Sequence, residues 1–252
     1  MLCVFAVNSP EVFKTQPLSL VTAPTDREFP VMSAAEREVL AARFGGIAVV
    51  QRRLEKQAKL EARPEIAPHG QPNLQRLAQR GRQIGAIIRA AGCAGWGRRN
   101  LLDVRRVENT LRLRGLPAPF RGLRILQLSD LHADIDPGMM PAIIRALDGW
   151  EYDAIVLTGD YRVNTFRQWS AARPLCAELA RVLRREVPVF AVLGNHDMLE
   201  MVPDLEKLGW SMLLNEAKPW RKDGAELWIA GVDDDHTYDN ADIARVRTLT
   251  RT

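Results

Sequence analysis

Three short apolar runs, each followed by polar residues, stand out in the hydrophobic pattern of the chain. They cover residues 125–128, 154–158 and 187–193. Short apolar runs bounded by turn residues are typical of buried strands. Between them, apolar residues recur at the spacing of a helix face, at Met140, Ile143, Ile144 and Leu147 and again at Leu175, Leu179, Val182 and Leu183. Strands that alternate with helices predict a parallel sheet built from βαβ units.

Polar residues follow each predicted strand at the carboxyl edge of the sheet, where functional groups gather in such folds. They are Asp130 and His132 after the first strand, Asp160 after the second, and Asn195, His196 and Asp197 after the third. Carboxylate, imidazole and amide oxygen suit Mn²⁺, Fe, Zn²⁺ or Mg²⁺ better than an ion that prefers thiolates. An aspartate at a strand end can also be only a helix N-cap, which would explain Asp160 alone but not the whole set.

The ligand types predict a role for each of these residues. We predict metal ligands at Asp130, His132, Asp160 and Asn195. Asp160, on the middle motif, is the natural bridge between two metal ions. We predict a catalytic role for His196, oriented by Asp197, because an imidazole held by a carboxylate can donate a proton to a leaving oxygen.

These motifs resemble those of the calcineurin-like metallophosphoesterases, which run Asp-x-His, Gly-Asp-x-x-Asp and Gly-Asn-His-Asp/Glu. Asp130-Leu131-His132 matches the first motif and Gly194-Asn195-His196-Asp197 matches the third in full. Gly159-Asp160 matches the second in part, since Val163 stands where the family usually has Asp. The sequences Ser-Asp-Leu-His and Thr-Gly-Asp-Tyr-Arg are similar to the corresponding motifs of bacterial phosphodiesterases related to UDP-2,3-diacylglucosamine hydrolases.

The resemblance covers about residues 104–240. It implies a metallophosphoesterase-type αββα sandwich, expected to lack its C-terminal part, that hydrolyses a phosphodiester or pyrophosphate bond with two divalent metal ions. Mn²⁺ is the favoured ion, with Fe, Zn²⁺ or Mg²⁺ as alternatives. The implied substrate is a phosphate ester, with a nucleotide-linked lipid as one candidate.

The family's later motifs, an isolated His and Gly-His-x-His, have no counterpart in this sequence, which contains only four His. The first metal ion would keep Asp130, His132 and Asp160, whereas the second would have only Asp160 and Asn195. The second site is therefore predicted to be incomplete. Two hypotheses remain: an active phosphoesterase, and a truncated, catalytically impaired homologue that keeps part of the metal site and acts only in binding.

The region before the resemblance predicts helices. We interpret residues 1–32 as a disordered leader, because its apolar start is far shorter than the ~20 residues of a membrane helix. Ser33 and Glu36 form a capping-box signature, and the helical pattern then runs to Pro64 with a break at Gly45-Gly46. This predicts a helical N-terminal region over 33–103 and a metallophosphoesterase domain over 104–252.

A second amphipathic helix is predicted over residues 73–91, in a strongly basic part of the chain. Residues 73–106 contain eight arginines and one acid, Asp103. One interpretation is a surface helix that docks on anionic lipid headgroups. The favoured interpretation is a helix that packs on the catalytic domain with a solvated basic face. Nucleic-acid binding is not expected, because no interleaved aromatic residues or known motif accompany the arginines.

Five further predictions concern the rest of the chain. Residues 104–114 predict a strand, and Asp223-Gly224 predicts the turn of a β-hairpin. Asp233-Asp234-Asp235-His236 follows a strand end, but this loop is not a ligand position in the family. Arg162 is interpreted as an exposed structural arginine, with a phosphate contact as the alternative. The last dozen residues are predicted to pack loosely.

Composition and charge are those of an ordinary soluble protein, with 46% hydrophobic and 26% charged residues and a net charge of +4. Three scattered cysteines outside any metal-binding pattern indicate a reducing compartment. No apolar run approaches membrane-spanning length. We therefore expect a cytoplasmic protein, peripheral on the inner membrane face if the lipid-docking interpretation holds.

Overall fold

The computed structural model describes residues 2–3, 32–62, 83–163 and 169–250. In chain order its helices and strands are β1 (Leu2–Cys3), α1 (Ala34–Phe44), α2 (Ile47–Ala62), α3 (83–90), α4 (Ala94–Leu101), β2 (Ile125–Leu128), α5 (Met139–Leu147), β3 (Ala154–Leu157), α6 (Arg173–Val182), β4 (Val189–Ala191), α7 (Val202–Lys207), β5 (Ser211–Met212), β6 (Glu216–Lys222), β7 (Ala225–Gly231) and α8 (Ile243–Leu249). The three predicted strands, the two predicted crossover helices and the hairpin are confirmed.

The central feature is a parallel sheet with the strand order β2-β3-β4-β5. Every residue of β3, from Ala154 to Leu157, is buried, as expected for an apolar strand covered on both faces. The pairing of β2 with β3 places Leu128 opposite Leu157, so both strands end at the same level. Asp130 and Asp160, which follow these strands, therefore start from one edge of the sheet.

A second sheet packs on one face of the first. It consists of the antiparallel hairpin β6-β7, with β1 added parallel to β7. Side chains alternate along a strand, and in and after β4 Phe190 and Val192 point to the hairpin whereas Ala191 and Leu193 join the core on the helical face. The two sheets are the β layers of the predicted metallophosphoesterase-type αββα sandwich.

The first two helices are integrated into the core of the sandwich. The predicted capping box at Ser33 is present, and α1 ends at Gly45 in the left-handed conformation. Phe44 and Val50 are completely buried, in the same apolar cluster as β3 and β4. The boundary predicted between residues 103 and 104 stays a prediction, but α1 and α2 share their core with the sheet.

The next region, residues 83–114, has a different character. Of the helix predicted over 73–91, residues 73–82 lie outside the described residues, and the remainder forms α3. The strand predicted over 104–114 is wrong: the described residues there form no ladder, and Val107 and Leu111 are 71% and 73% exposed. Alternating apolar residues form a strand only when a neighbouring edge accepts their hydrogen bonds, and no described strand lies beside this segment.

The predicted ends of the chain also differ in part from the structure. The expectation of loose packing at the C-terminus is wrong, because α8 is capped by Asp242 and buries Val246. Of the predicted leader, Leu2–Cys3 forms β1, Met32 is buried, and residues 4–31 lie outside the described residues. Among the described residues, no helix combines the length and the apolar character needed to cross a membrane.

Candidate metal centre

Three of the predicted ligands converge at the edge of the parallel sheet. Asp130, His132 and Asp160 each offer a ligand atom, and these three atoms lie within 4.8 Å of one another. Two ligands of one ion lie at most about 4.2 Å apart at ordinary metal–ligand lengths, so the three atoms are close enough for side-chain adjustment to bring them to a single ion. Asp160 is buried, His132 half-buried and Asp130 exposed, which leaves the group open to solvent on the side of Asp130.

The backbone of these three residues is unusual. Asp130, His132 and Asp160 all have positive φ angles, of 51°, 37° and 54°. Side chains other than glycine rarely adopt this conformation, and each such residue costs of order 1–3 kcal/mol. The first two loops hold each other in place, because His132 N donates to Asp160 O at 2.9 Å and Asp130 N donates to Gly159 O at 3.2 Å. Such strain is typical of functional sites.

The imidazole of His132 is oriented as a metal ligand requires. Its Nδ1 lies 2.9 Å from the carbonyl oxygen of Arg162, and its Nε2 lies 4.0 Å from Oδ2 of Asp160. A carbonyl can only accept, so Nδ1 carries a proton and Nε2 is the ring nitrogen that faces the carboxylate. A histidine ligand held by a carbonyl at its other nitrogen is the usual arrangement in metal sites.

The third loop is brought against the second by close backbone contact. His196 N donates to Oδ1 of Asp160 at 3.0 Å. A Cβ on Gly194 would overlap that same carboxylate oxygen, and a Cβ on Gly159 would overlap the backbone nitrogen of Gly194. Glycine is therefore required at both positions. Asn195 is half-buried and lies between two residues that approach Asp160; its role as a ligand stays a prediction.

The side chain of Asp197 links the second and third loops through hydrogen bonds with their backbones. Its buried carboxylate accepts hydrogen bonds from the backbone nitrogens of Asp160 at 2.8 Å, Tyr161 at 3.0 Å and Gly194 at 2.8 Å. Three such bonds satisfy a buried carboxylate and fix the positions of the residues that donate them. The structure thus supports a positioning role for Asp197.

The ring of His196 lies beside that of His132, with the ring centres 5.0 Å apart. Its Nδ1 is 2.6 Å from the carbonyl oxygen of Val163, which must accept the Nδ1 proton. The sequence predicts Asp197 as the orienting group, whereas the structure places Val163 at Nδ1. Val163 occupies the position at which the resemblance expects Asp, and it contributes to the site through its backbone.

Burial dominates the electrostatics of the site. It raises the pKa of Asp160 to about 6, opposed by the hydrogen bond from His196 and the charge of His132. Burial is the main cause that raises the pKa of Asp197 to about 6, and the neighbouring charge of Asp160 is the second. Burial and then the charge of His132 lower the pKa of His196. A cation at this position would favour the ionised carboxylates.

The structure corrects the interpretation of Arg162 and agrees with that of the acidic loop after β7. Arg162 is buried, not exposed, and its Nε donates to the carbonyl of His196 at 2.6 Å. In the acidic loop after β7, Asp233 pairs with Arg53, and Asp234 accepts the backbone N–H groups of Thr237 and Tyr238. These contacts support structural roles for both aspartates.

Sequence reasoning missed two residues that support the site. Asp134, two residues after His132, accepts the backbone N–H of Val163 at 2.7 Å. Arg53 of α2 donates to the carbonyl of Asp197 at 3.1 Å. The signal for Arg53 was available, because it occupies the buried helical stripe that also contains Val50 and Gln57. A charge on such a stripe indicates a buried partner.

The comparisons with known proteins agree with this geometry. The sequence model described as calcineurin-like phosphoesterase matches residues 123–249. This region covers half of the chain and contains all the site residues predicted from the sequence, so the protein belongs to the calcineurin-like phosphoesterase family. A comparison with curated proteins gave no match. The family uses divalent metal ions, and Asp130, His132 and Asp160 form a candidate metal-binding group.

Proposed function

We propose that this protein hydrolyses a phosphodiester or pyrophosphate bond with the help of a pair of divalent metal ions. The observation that supports this best is the grouping of Asp130, His132 and Asp160 on adjacent loops, within a family of phosphoesterases. Ligand atoms from two separate motifs meet on one solvent-facing edge. A structural role would not require an exposed carboxylate, a half-buried imidazole and a buried carboxylate to converge.

The residues present fit the first metal ion well and the second in part. Asp130, His132 and Asp160 would hold the first ion, and Asp160 and Asn195 would hold the second. Oxygen and imidazole donors suit Mn²⁺ best, with Fe, Zn²⁺ or Mg²⁺ as alternatives. Ions bound here would stabilise the negative charge on the phosphoryl oxygens and activate a water molecule for attack at phosphorus.

His196 is the proposed acid in this reaction. Its Nδ1 is committed to the Val163 carbonyl, so the second ring nitrogen, Nε2, is the atom that can hold a proton for the leaving oxygen. The neighbouring ring of His132 limits how the imidazole can turn. Asp197 is assigned to holding the loops together and acts on the reaction through the residues that it positions.

The proposed substrate is a phosphate ester that approaches from the exposed side of Asp130. The similarity of the first two motifs to those of phosphodiesterases related to UDP-2,3-diacylglucosamine hydrolases supports a nucleotide-linked lipid as one candidate. The open side of the group suits a substrate whose phosphate enters first and whose larger groups remain outside.

The function is tested by release of p-nitrophenol from bis(p-nitrophenyl) phosphate in the presence of Mn²⁺. We expect hydrolysis by the wild-type protein and a loss of at least ~100-fold in Asp130→Ala and His196→Ala, because acid catalysis alone contributes about 10²–10⁴-fold. Asp136→Ala is the matched control, since this residue lies in the same loop but outside the group, and it should retain activity. A wild-type rate equal to that of Asp130→Ala would favour the catalytically impaired homologue.

We also propose that α3 and α4 contact an anionic membrane surface. Ile87 and Trp96 are 68% and 60% exposed, and Arg89 and Arg99 follow them two and three residues later. Exposed apolar groups next to arginines complement a negatively charged lipid surface. The protein should sediment with vesicles that contain phosphatidylglycerol at low salt, and less so after Trp96→Ala. Failure to sediment at low salt, or equal sedimentation with neutral vesicles, would contradict this contact.

A further inference from the structure

Arg53 is buried beneath the third loop of the metal centre, although it belongs to α2, outside the region that matches the family. The side chains of Arg53 and Asp233 are both completely buried, and Nε of Arg53 lies 3.2 Å from Oδ2 of Asp233. The guanidinium carbon lies 2.9 Å from the centre of the Tyr238 ring. A buried ion pair is weak evidence of stabilisation, because apolar residues of similar size often serve as well. The contacts that Arg53 makes with other residues are therefore more informative about its role than the existence of the ion pair.

Two routes connect Arg53 to the metal centre, one through a direct contact with Asp197 and one through Tyr238. Nη2 of Arg53 donates to the carbonyl oxygen of Asp197 at 3.1 Å. The carboxylate of the same Asp197 accepts the backbone N–H of Asp160 and of Gly194, both at 2.8 Å. Asp197 is thus held by Arg53 at its backbone while it holds the second and third loops with its side chain.

The second route passes through the tyrosine that the guanidinium covers. The hydroxyl of Tyr238 donates to the carbonyl oxygen of Asn195 at 3.3 Å. Asp233, the ion-pair partner of Arg53, is itself fixed by Asn240, whose Nδ2 donates to it at 2.8 Å. Arg53 therefore lies where the loop of Asn195 and the loop after β7 meet, and it contacts both.

We propose that Arg53 is a positioning residue for the metal centre, which sets the placement of the loop from Asn195 to Asp197 against Asp160. This inference deepens the proposed function and rests on it for the identity of the metal ligands. It also makes α2 a part of the catalytic unit. Residues that orient metal ligands from outside typically change metal affinity or activity by about 10–100-fold when they are replaced.

The test compares Mn²⁺ affinity, measured by titration calorimetry without substrate, between the wild type and the double variant Arg53→Met, Asp233→Asn. This variant removes both charges, so no uncompensated charge stays buried and the fold can be retained. We expect Mn²⁺ to bind about 10-fold more weakly or worse. Folding is checked by circular dichroism, and the affinity is measured well below the unfolding temperature.

The matched control is the double variant Arg43→Met, Glu216→Gln. Arg43 also comes from an N-terminal helix and pairs with a residue of the C-terminal half, at 3.0 Å. Loss of this ion pair should lower the stability of the protein but leave its Mn²⁺ affinity unchanged. Equal affinities of the folded Arg53 double variant and the wild type would overturn the proposal, as would an equal loss of affinity in the Arg43 control.

A more conservative variant covers the case in which the double variant does not fold. Arg53→Lys keeps a positive charge near Asp233 but loses the Nη2 donor that binds the Asp197 carbonyl. The variant should therefore fold, and it should bind Mn²⁺ several-fold more weakly than the wild type. Wild-type affinity in this variant would also overturn the proposal. Because metal binding is measured without substrate, absence of hydrolysis by the wild type would contradict the proposed function and leave this result intact.

Discussion

The two parts of the chain that precede the matched region are both basic and partly helical, yet they relate to the sandwich in opposite ways. In α1 and α2, Phe44, Val50 and Arg53 are completely buried. In the region from 83 to 114, Ile87, Trp96 and Leu111 are largely exposed. Arg98 joins this second region to the loop after the first metal motif through a paired contact with Asp136 at 2.8 Å.

The difference shows what an amphipathic pattern determines and what it leaves open. Helical spacing of apolar residues predicts which face of a helix avoids water, but it does not name the partner that covers this face. The stripe of α2 is covered by the sandwich, and even its arginine finds buried partners. In α3 and α4, Ile84, Ile87 and Trp96 stay exposed, whereas Leu101 at the end of α4 packs against the core.

The largest expected effect separates the two regions by stability. Phe44→Ala should lower the free energy of unfolding by about 3–5 kcal/mol, since it removes a completely buried aromatic ring. Ile87→Ala should change it by no more than about 0.5 kcal/mol, because the side chain is already in water. Urea denaturation followed by circular dichroism measures both. Similar losses for the two variants would mean that the exposed region is packed in solution.

A smaller effect is expected on the reactivity of two cysteine thiols, one in each kind of region. Cys93 is exposed in the loop between α3 and α4, whereas Cys176 of α6 is buried, and burial raises its pKa to about 12. In a Cys3→Ser background, a thiol reagent at pH 8 should modify Cys93 at once and Cys176 only when the protein unfolds, since the thiolate is the reactive form. Mass spectrometry over time distinguishes the two. Rapid modification of Cys176 would show that the core under α6 opens readily.

The sequence was sufficient to predict the parts of the fold that depend on local pattern. The strands ending at Leu128 and Leu157, the crossover helices and the hairpin turn at Asp223-Gly224 follow from apolar periodicity and turn chemistry. The convergence of Asp130, His132 and Asp160 follows from strand order, because parallel strands end at one edge. Hydrogen bonds between residues distant in the sequence leave no comparable pattern in the sequence.

The remaining features depend on contacts between residues distant in sequence. The carboxylate of Asp197 could bind its neighbouring imidazole or the backbone of another loop, and only the folded chain selects the backbone of Asp160 and Gly194. The partner of Arg53 lies 180 residues away, at Asp233. The segment at Val107 and Leu111 has the alternation of a strand, yet pairing requires an edge that its own sequence does not specify.

The most direct test of the account is the location of a bound ion in crystals grown with Mn²⁺. Anomalous scattering at the manganese edge should give a peak roughly 2.0–2.3 Å from a carboxylate oxygen of Asp130, Nε2 of His132 and a carboxylate oxygen of Asp160. A peak at another place on the protein, or none at these three residues under saturating Mn²⁺, would contradict the proposed metal centre.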